Sequence, residues 1–501
     1  MVSRTESVSI HELNELSSHG AEDVQVTRGT VVDNDGDGAS ATSDARQLES
    51  SRKRALILLG ASISQLPIWG FTMSYGVFQE YYMHSWTLSG SRDVTGIIGT
   101  TSNGVLYLSM PILFAAFTRR WAAQRQAAAA AGAVLAAASF ALSSLSTDVW
   151  HLVATQGVLA SLGCALVYSP TTLSLGEWFG TAGGSSNSRA VAYGVTLSCK
   201  NVVGSVVPFL ARALLEAHGF RVAMRVWAAV ALGTSLLSIA LVPTHPAILA
   251  GSSADRGQGQ GRRRRERAIP WHFLRHRTIY VYGAAIALQS AGYGIPQSYL
   301  PTYAREVARL SQTSATLLLT VFNVPGILAS FLFGYLSGGG SSDNNNNNNW
   351  HIRLSASGVA AVSGLASALA ALLLWGLAAR GSLAQLLAFS ATFGFFAGGY
   401  SATWGGVVAE LEAEAARWNE AVDAGMLYGL LNGARGIGYV GGGLFSVPLL
   451  KAGGGGGGIS AGGGSGYASM YGPLILFTGL SSVFGGWGIL WRWIPSIRRL
   501  P

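Results

Sequence analysis

From residue 55 onward the chain repeats one pattern: an apolar stretch of twenty residues or slightly more, a polar break, then another apolar stretch. No other feature constrains the fold as strongly. A helix rises ~1.5 Å per residue, so ~20 apolar residues cross the ~30 Å hydrocarbon layer of a bilayer. There the backbone has to satisfy its own hydrogen bonds. The stretches lie near 55–80, 94–116, 127–146, 150–176, 190–214, 222–243, 278–303, 314–336, 354–379, 383–409, 424–450 and 470–493. They are rich in Gly and Ala, which lets helices approach closely in lipid. Only 11% of the 501 residues are charged, against roughly 25% in a soluble domain. The expectation is an all-α polytopic membrane protein with twelve transmembrane helices. Residues 1–50 read as a disordered polar tail, 51–243 as a first six-helix half, 244–277 as a linker loop and 278–501 as a second half. The tracts Asn344 to Asn349 and Gly453 to Gly458 read as loops without chemistry.

Basic residues set the orientation. On one side stand Arg52, Lys53, Arg54, Arg119, Arg120, Arg125, Arg189, the arginines of 244–277, Arg353, Arg417, Arg492, Arg498 and Arg499. The other side holds Arg92, Arg212, Arg221, Arg225, Arg305, Arg309, Arg380 and Lys451. The imbalance predicts cytoplasmic termini and a cytoplasmic central loop. The net charge of +9 lies beside apolar stretches, and the run Arg262 to Arg265 suits topology or anionic lipid better than nucleic acid. The polar tail has no signal-peptide h-region, so the first stretch is expected to act as an uncleaved signal. Cys164 and Cys199 fall in apolar stretches, which excludes a disulfide framework or a zinc site. No nucleotide loop, His-Glu-x-x-His, Ser/His/Asp constellation or paired intramembrane carboxylate occurs. Neither enzyme activity nor a metal or other cofactor is expected.

The two halves echo each other. Tyr75-Gly-Val-Phe-Gln-Glu-Tyr81 in the first stretch matches Tyr293-Gly-Ile-Pro-Gln-Ser-Tyr299 in the seventh. Tyr193-Gly194 precedes Lys200 in the fifth as Tyr428-Gly429 precedes Arg435 in the eleventh. Tyr168-Ser169 and Tyr400-Ser401 lie in the fourth and tenth, with Glu177 and Glu410 nine and ten residues later. Echoes pairing stretches 1, 4 and 5 with 7, 10 and 11 predict two parallel six-helix halves with a site between them.

Further segments carry a resemblance. They are Ser74 to Tyr82, Gly176-Glu-Trp-Phe179, Ser188 to Gly194, Val207-Pro-Phe-Leu210, Gly219-Phe-Arg221, Tyr299-Leu-Pro-Thr-Tyr303, Gly394 to Tyr400 and Arg435-Gly-Ile-Gly438. Together they resemble the fungal monocarboxylate-transporter-like group of the major facilitator superfamily, over all but the tail. The superfamily's Gly-x-x-x-Asp-Arg loop survives only as Phe117-Thr-Arg-Arg-Trp121, and Asn323 is the one strongly polar residue of the eighth stretch. The resemblance implies a transporter working by alternating access. Its substrate would be a small organic anion, monocarboxylate-like, or an amphipathic metabolite. Efflux of a fungal secondary metabolite or drug is the nearest alternative, and a nutrient-sensing receptor the alternative from another class. A monomer in the plasma membrane is expected, with an internal membrane such as the vacuole as the other setting.

A charge at the bilayer centre costs at least ~2.5 kcal/mol and marks function by default. Lys200 and Arg435 are the two such charges, placed by the repeat on opposing walls. Unbalanced cations suit an anionic substrate, although bracing of helix carbonyl ends is the bland reading. Tyr75 with Gln79, Asn103 with Tyr107, Tyr168 with Thr172, Gln289 with Tyr293, Tyr400 with Trp404, and the stripe Tyr428, Asn432, Arg435 each share one helix face. With Asn323 these are the candidate cavity residues, and interface anchoring or interhelical bonding is their alternative. Glu177 and Glu410 at helix ends are candidate gates with Arg119, Arg120 or Arg189. Proton coupling would run through Lys200, through Glu80, or not at all.

Overall fold

The computed structural model describes residues 51–84, 89, 95–118, 121–180, 186–246, 274–337, 355–378, 382–420, 422–454 and 465–489. The tail 1–50, Arg119, Arg120, the arginine run 262–265, the asparagine tract and the glycine tract beyond Gly454 lie outside the described residues.

From Lys53 onward the described residues form one compact helical unit. Helices α1 (Ser51–Tyr82), α2 (Thr95–Thr118), α3 (Ala122–Ser143) and α4 (Val149–Phe179) come first. The next run, Ser186–Leu241, breaks at Gly219, whose φ of 74° and ψ of 175° suit glycine alone. It divides into α5 (186–218) and α6 (220–241). Then follow α7 (Arg277–Glu306), α8 (Gln312–Ser337), α9 (Ala356–Trp375), α10 (Leu383–Arg417), α11 (Ala424–Gly454) and α12 (Gly472–Gly485). The sole β-type contact among the described residues is a bridge between Ser89 and Asp148.

Eight of these helical runs are long and apolar enough to cross a membrane, the undivided Val191–Leu241 counting as one. That falls short of twelve for a physical reason. Helices α7 and α11 have the length, 30 and 31 residues, but spend it on Gly, Tyr, Gln, Asn and Arg, and α12 is only 14 residues long. The polar composition of α7 and α11 belongs to helices that face an interior rather than lipid.

Helices α1–α6 meet α7–α12 mainly where α2 lies on α11 and α5 lies on α8, with the end of α1 against α7. Glycines set the first contact. Gly433 abuts Pro111 of α2, while Gly438 on another face abuts the Ala287 carbonyl of α7, where no Cβ fits. The largest buried cluster runs through this centre and contains Trp69, Tyr107, Tyr168, Tyr293, Trp404, Tyr428 and Tyr439.

Candidate functional site

Contacts with α8 fix the rotation of α5. Ser198 Oγ donates to the Ile327 carbonyl (2.8 Å), Asn201 Nδ2 donates to Ser330 Oγ (3.0 Å), and Thr320 Oγ1 donates to the Ser205 carbonyl (2.9 Å). Lys200 is thereby turned away from α8, toward α1 and α2. Its ammonium sits 4.1 Å from the centroid of the Trp69 ring and donates to Tyr107 Oη at 3.4 Å. Arg435 reaches the same ring from α11. Its guanidinium carbon lies 5.3 Å from the Tyr107 centroid, 5.4 Å from Tyr293, and 5.5 Å from both Trp404 and Tyr439. One Nη donates to Tyr439 Oη (3.3 Å), and the buried Nε has no partner among the described residues.

Lys200 is 7% exposed and Arg435 4%, yet neither has a carboxylate within ion-pair distance among the described residues. The ring faces supply cation–π attraction but no countercharge. Tyr107 joins the two cations, with its oxygen toward Lys200 and its ring toward Arg435, and it stacks on Tyr439 at 5.4 Å and 6°.

Beside Lys200 lies a narrow cavity lined by Trp69, Thr72, Met73, Asn103, Tyr107, Lys200, Tyr293, Gln297 and Tyr439. A second narrow cavity is lined by Ala61, Ser64, Gln65, Tyr168, Thr171, Thr172, Leu175, Tyr193, Thr196, Leu197 and Tyr428, with no charged side chain. Trp69, a wall of the first, meets Tyr168, a wall of the second, edge to face at 5.7 Å. Chemically, the first cavity offers the Lys200 ammonium, amide N–H donors and flat apolar walls, with the Arg435 guanidinium packed against its Tyr107, Tyr293 and Tyr439 rings. Such a set can hold a carboxylate.

The sequence candidates are therefore sorted by place. Asn103, Tyr293 and Lys200 line the first cavity, and Arg435 lies against its Tyr107 and Tyr293 walls, with Trp404 on the guanidinium as well. Tyr168 and Tyr428 wall the second. Others turn to neighbouring backbone. The Tyr75 phenol donates to the Thr95 carbonyl, and Tyr400 donates to the Gly485 carbonyl at 2.9 Å. Asn323 donates to the carbonyls of Gly204 (3.1 Å) and Leu319 (2.8 Å), and Asn432 to that of Tyr428 (2.8 Å). Gln79 is buried near Gly96, and Gln289 near Gly485. Sequence reasoning did not single out Trp69, Thr72, Gln297 or Tyr439 as cavity residues. Two of them had a signal: Gln297 belongs to the repeated Tyr-Gly heptad, and Tyr439 stands one helical turn beyond Arg435.

The candidate gate partners Arg119 and Arg120 lie outside the described residues. Glu177 accepts from Arg125 at 2.7 Å, and Arg125 also donates through Nε to the Phe117 carbonyl (2.9 Å). Arg189 reaches Glu412 at 3.4 Å, and Glu410 accepts from the Tyr282 phenol at 2.6 Å. Arg125 lies in the first turn of α3 beside the end of α2, so its short path to Glu177 is set by the fold and not by sequence distance. At the opposite end Glu80 faces Arg305 (3.7 Å) and accepts from Gln312 (3.0 Å), tying α1 to α7 and α8. The repeat-related Tyr193 and Tyr428 stack on one another at 5.3 Å and 13°.

Residues 57–341 match the family model of the Major Facilitator Superfamily. The chain belongs to this superfamily. By family it is a multi-pass membrane protein, and eight of its described helical runs are long and apolar enough to cross a bilayer. An MFS-type transporter of Aspergillus niger is 22% identical over 289 residues, which cover 58% of this chain and 62% of that relative. The Fujikurins efflux protein of Gibberella fujikuroi is 24% identical, over 69% of this chain and 66% of its own length. Monocarboxylate transporter 12-B of Danio rerio is 24% identical, over 41% of this chain and 46% of its own length. This superfamily member thus spans a little under two thirds of the first relative it matches. The crystal structure of a human organic anion transporter has the same fold, with a TM-score of 0.53 at 15% identity, covering 87% of this chain and 97% of that one.

Proposed function

We propose that this superfamily member carries a small organic anion, monocarboxylate-like or amphipathic, across the membrane by alternating access. In this reading twelve spans in two six-helix halves place both termini and the 244–277 loop in the cytoplasm of a plasma-membrane monomer. The carrying observation is the pair Lys200 and Arg435: two buried cations without a carboxylate partner among the described residues, both on Tyr107. Contacts at both ends of the helices, Glu80 with Arg305 and Arg189 with Glu412, join α1–α6 to α7–α12 and supply the latches that alternating access has to make and break.

The test is flux of a panel of radiolabelled organic acids at matched surface expression. Arg435→Ala should nearly abolish anion flux, and Arg435→Lys, which keeps the charge without the fork, should weaken it. Wild-type flux in both variants would leave Arg435 as structure only. Topology is checked by a tag between residues 453 and 466, expected to be accessible from outside. Efflux is the second reading, favoured by the similarity to the Fujikurins efflux protein. Lower internal accumulation of a fed metabolite in cells with the protein than without it would select that direction.

A further inference from the structure

The two cations at and beside the first cavity are unbalanced in a way that bears on what it holds. Lys200 and Arg435 are both more than nine-tenths buried, and the described residues set no carboxylate against either. Glu80, the one carboxylate among the described buried side chains, is engaged elsewhere by Arg305 and Gln312. Ring faces ease the burial of a cation without neutralising it. A monoanion bound between the two would leave one charge uncompensated whenever the site closes.

We propose that the substrate of this site is a small dianion, a compact skeleton bearing two carboxylates or chemically similar groups. This inference rests on the organic-anion reading above and narrows it. The cations approach from different helices, α5 and α11, and meet Tyr107 at different places, one at the phenol oxygen and one at the ring face. The two cations therefore offer separate contacts at different parts of Tyr107. Arg435 Nε is a buried donor with no partner among the described residues, and the Gln297 amide lines the cavity with Lys200. The cavity is narrow, which favours a compact skeleton, and Trp69, Tyr107 and Tyr439 give it flat apolar walls.

The full-length protein, reconstituted in proteoliposomes, is assayed with two matched pairs of probes: succinate against butyrate, and phthalate against benzoate. The pH is held at about 7.5, where carboxyl groups are ionised. Each diacid is expected to reach half-saturation of uptake at a concentration at least about tenfold lower than its monoacid partner, the size of one added charge contact. Lys200→Gln should bring the members of a pair to within about threefold, by weakening the diacid, and Arg435→Gln should nearly abolish uptake of all four. Lys200→Arg and Arg435→Lys keep the charge and should keep the diacid preference, which guards against a loss that merely reflects misfolding. Uptake of butyrate or benzoate as well as, or better than, the diacid partner in the wild-type protein overturns the dianion assignment while the organic-anion reading stands. Uptake of none of the four overturns both.

Discussion

Glu80 closes the end of α1 onto α7 and α8 through two contacts of unequal strength. Gln312 donates to its Oε2 at 3.0 Å, a hydrogen bond to an ionised acceptor worth about 1.5 kcal/mol. Arg305 lies 3.7 Å from Oε1 but is 35% exposed, so that pair is screened and contributes about 0.5 kcal/mol. Glu80→Ala removes both, and about 2 kcal/mol corresponds to a roughly 30-fold shift toward the state open at this end. Glu80→Gln keeps an acceptor for Gln312 and loses the charge, so about 1 kcal/mol and roughly fivefold is expected. A reporter is available in Ser446, a buried α11 residue whose hydroxyl bonds Tyr299 Oη at 2.9 Å. With Cys164 and Cys199 replaced by serine, Ser446→Cys is labelled with an impermeant maleimide from the face at the Glu80 end. Labelling should quicken in the order wild type, Glu80→Gln, Glu80→Ala. Equal rates in all three, or slower labelling in Glu80→Ala, would refute the latch.

Tyr428→Ala removes the stack with Tyr193, worth about 1 kcal/mol, and should speed labelling of Thr196→Cys from the opposite face about fivefold, whereas Tyr428→Phe should leave it within twofold. Gly438→Ala drives a Cβ into the Ala287 carbonyl, and the purified protein should lose about 1–3 kcal/mol, read as a lower Tm in detergent; an unchanged Tm would mean α11 can slide off α7 at no cost. Arg125 is 1% exposed, so Glu177→Gln should cost about 3 kcal/mol by leaving the guanidinium short of its carboxylate, and Arg125→Met with Glu177→Met should recover much of that. A double variant no better than the single one would show that Arg125 acts chiefly through the Phe117 carbonyl.

The helices and their order are written locally, because a segment that must satisfy its own backbone in hydrocarbon announces itself by length and apolarity. So is the internal repeat: Tyr193-Gly194 and Lys200 against Tyr428-Gly429 and Arg435 is visible with no coordinates at all. What local sequence does not carry is the rotation of each helix about its axis relative to its neighbours. Helical spacing puts Tyr400 and Trp404 on one face, but only packing against α12 sends the Tyr400 phenol to the Gly485 carbonyl while Trp404 meets Arg435. The same holds for Asn323, which reads as a cavity amide and lies in the α5–α8 contact, bonded to Gly204. Ion pairing is equally non-local. Glu177 pairs with Arg125, and Arg189 with Glu412, 223 residues away, because helix ends are brought together by the glycine-paved contacts deeper in the unit. Sequence thus determined which residues are costly to bury and on which helix they lie. The tertiary structure decided which of them face one another, since that choice depends on the close approach of helices far apart in the chain.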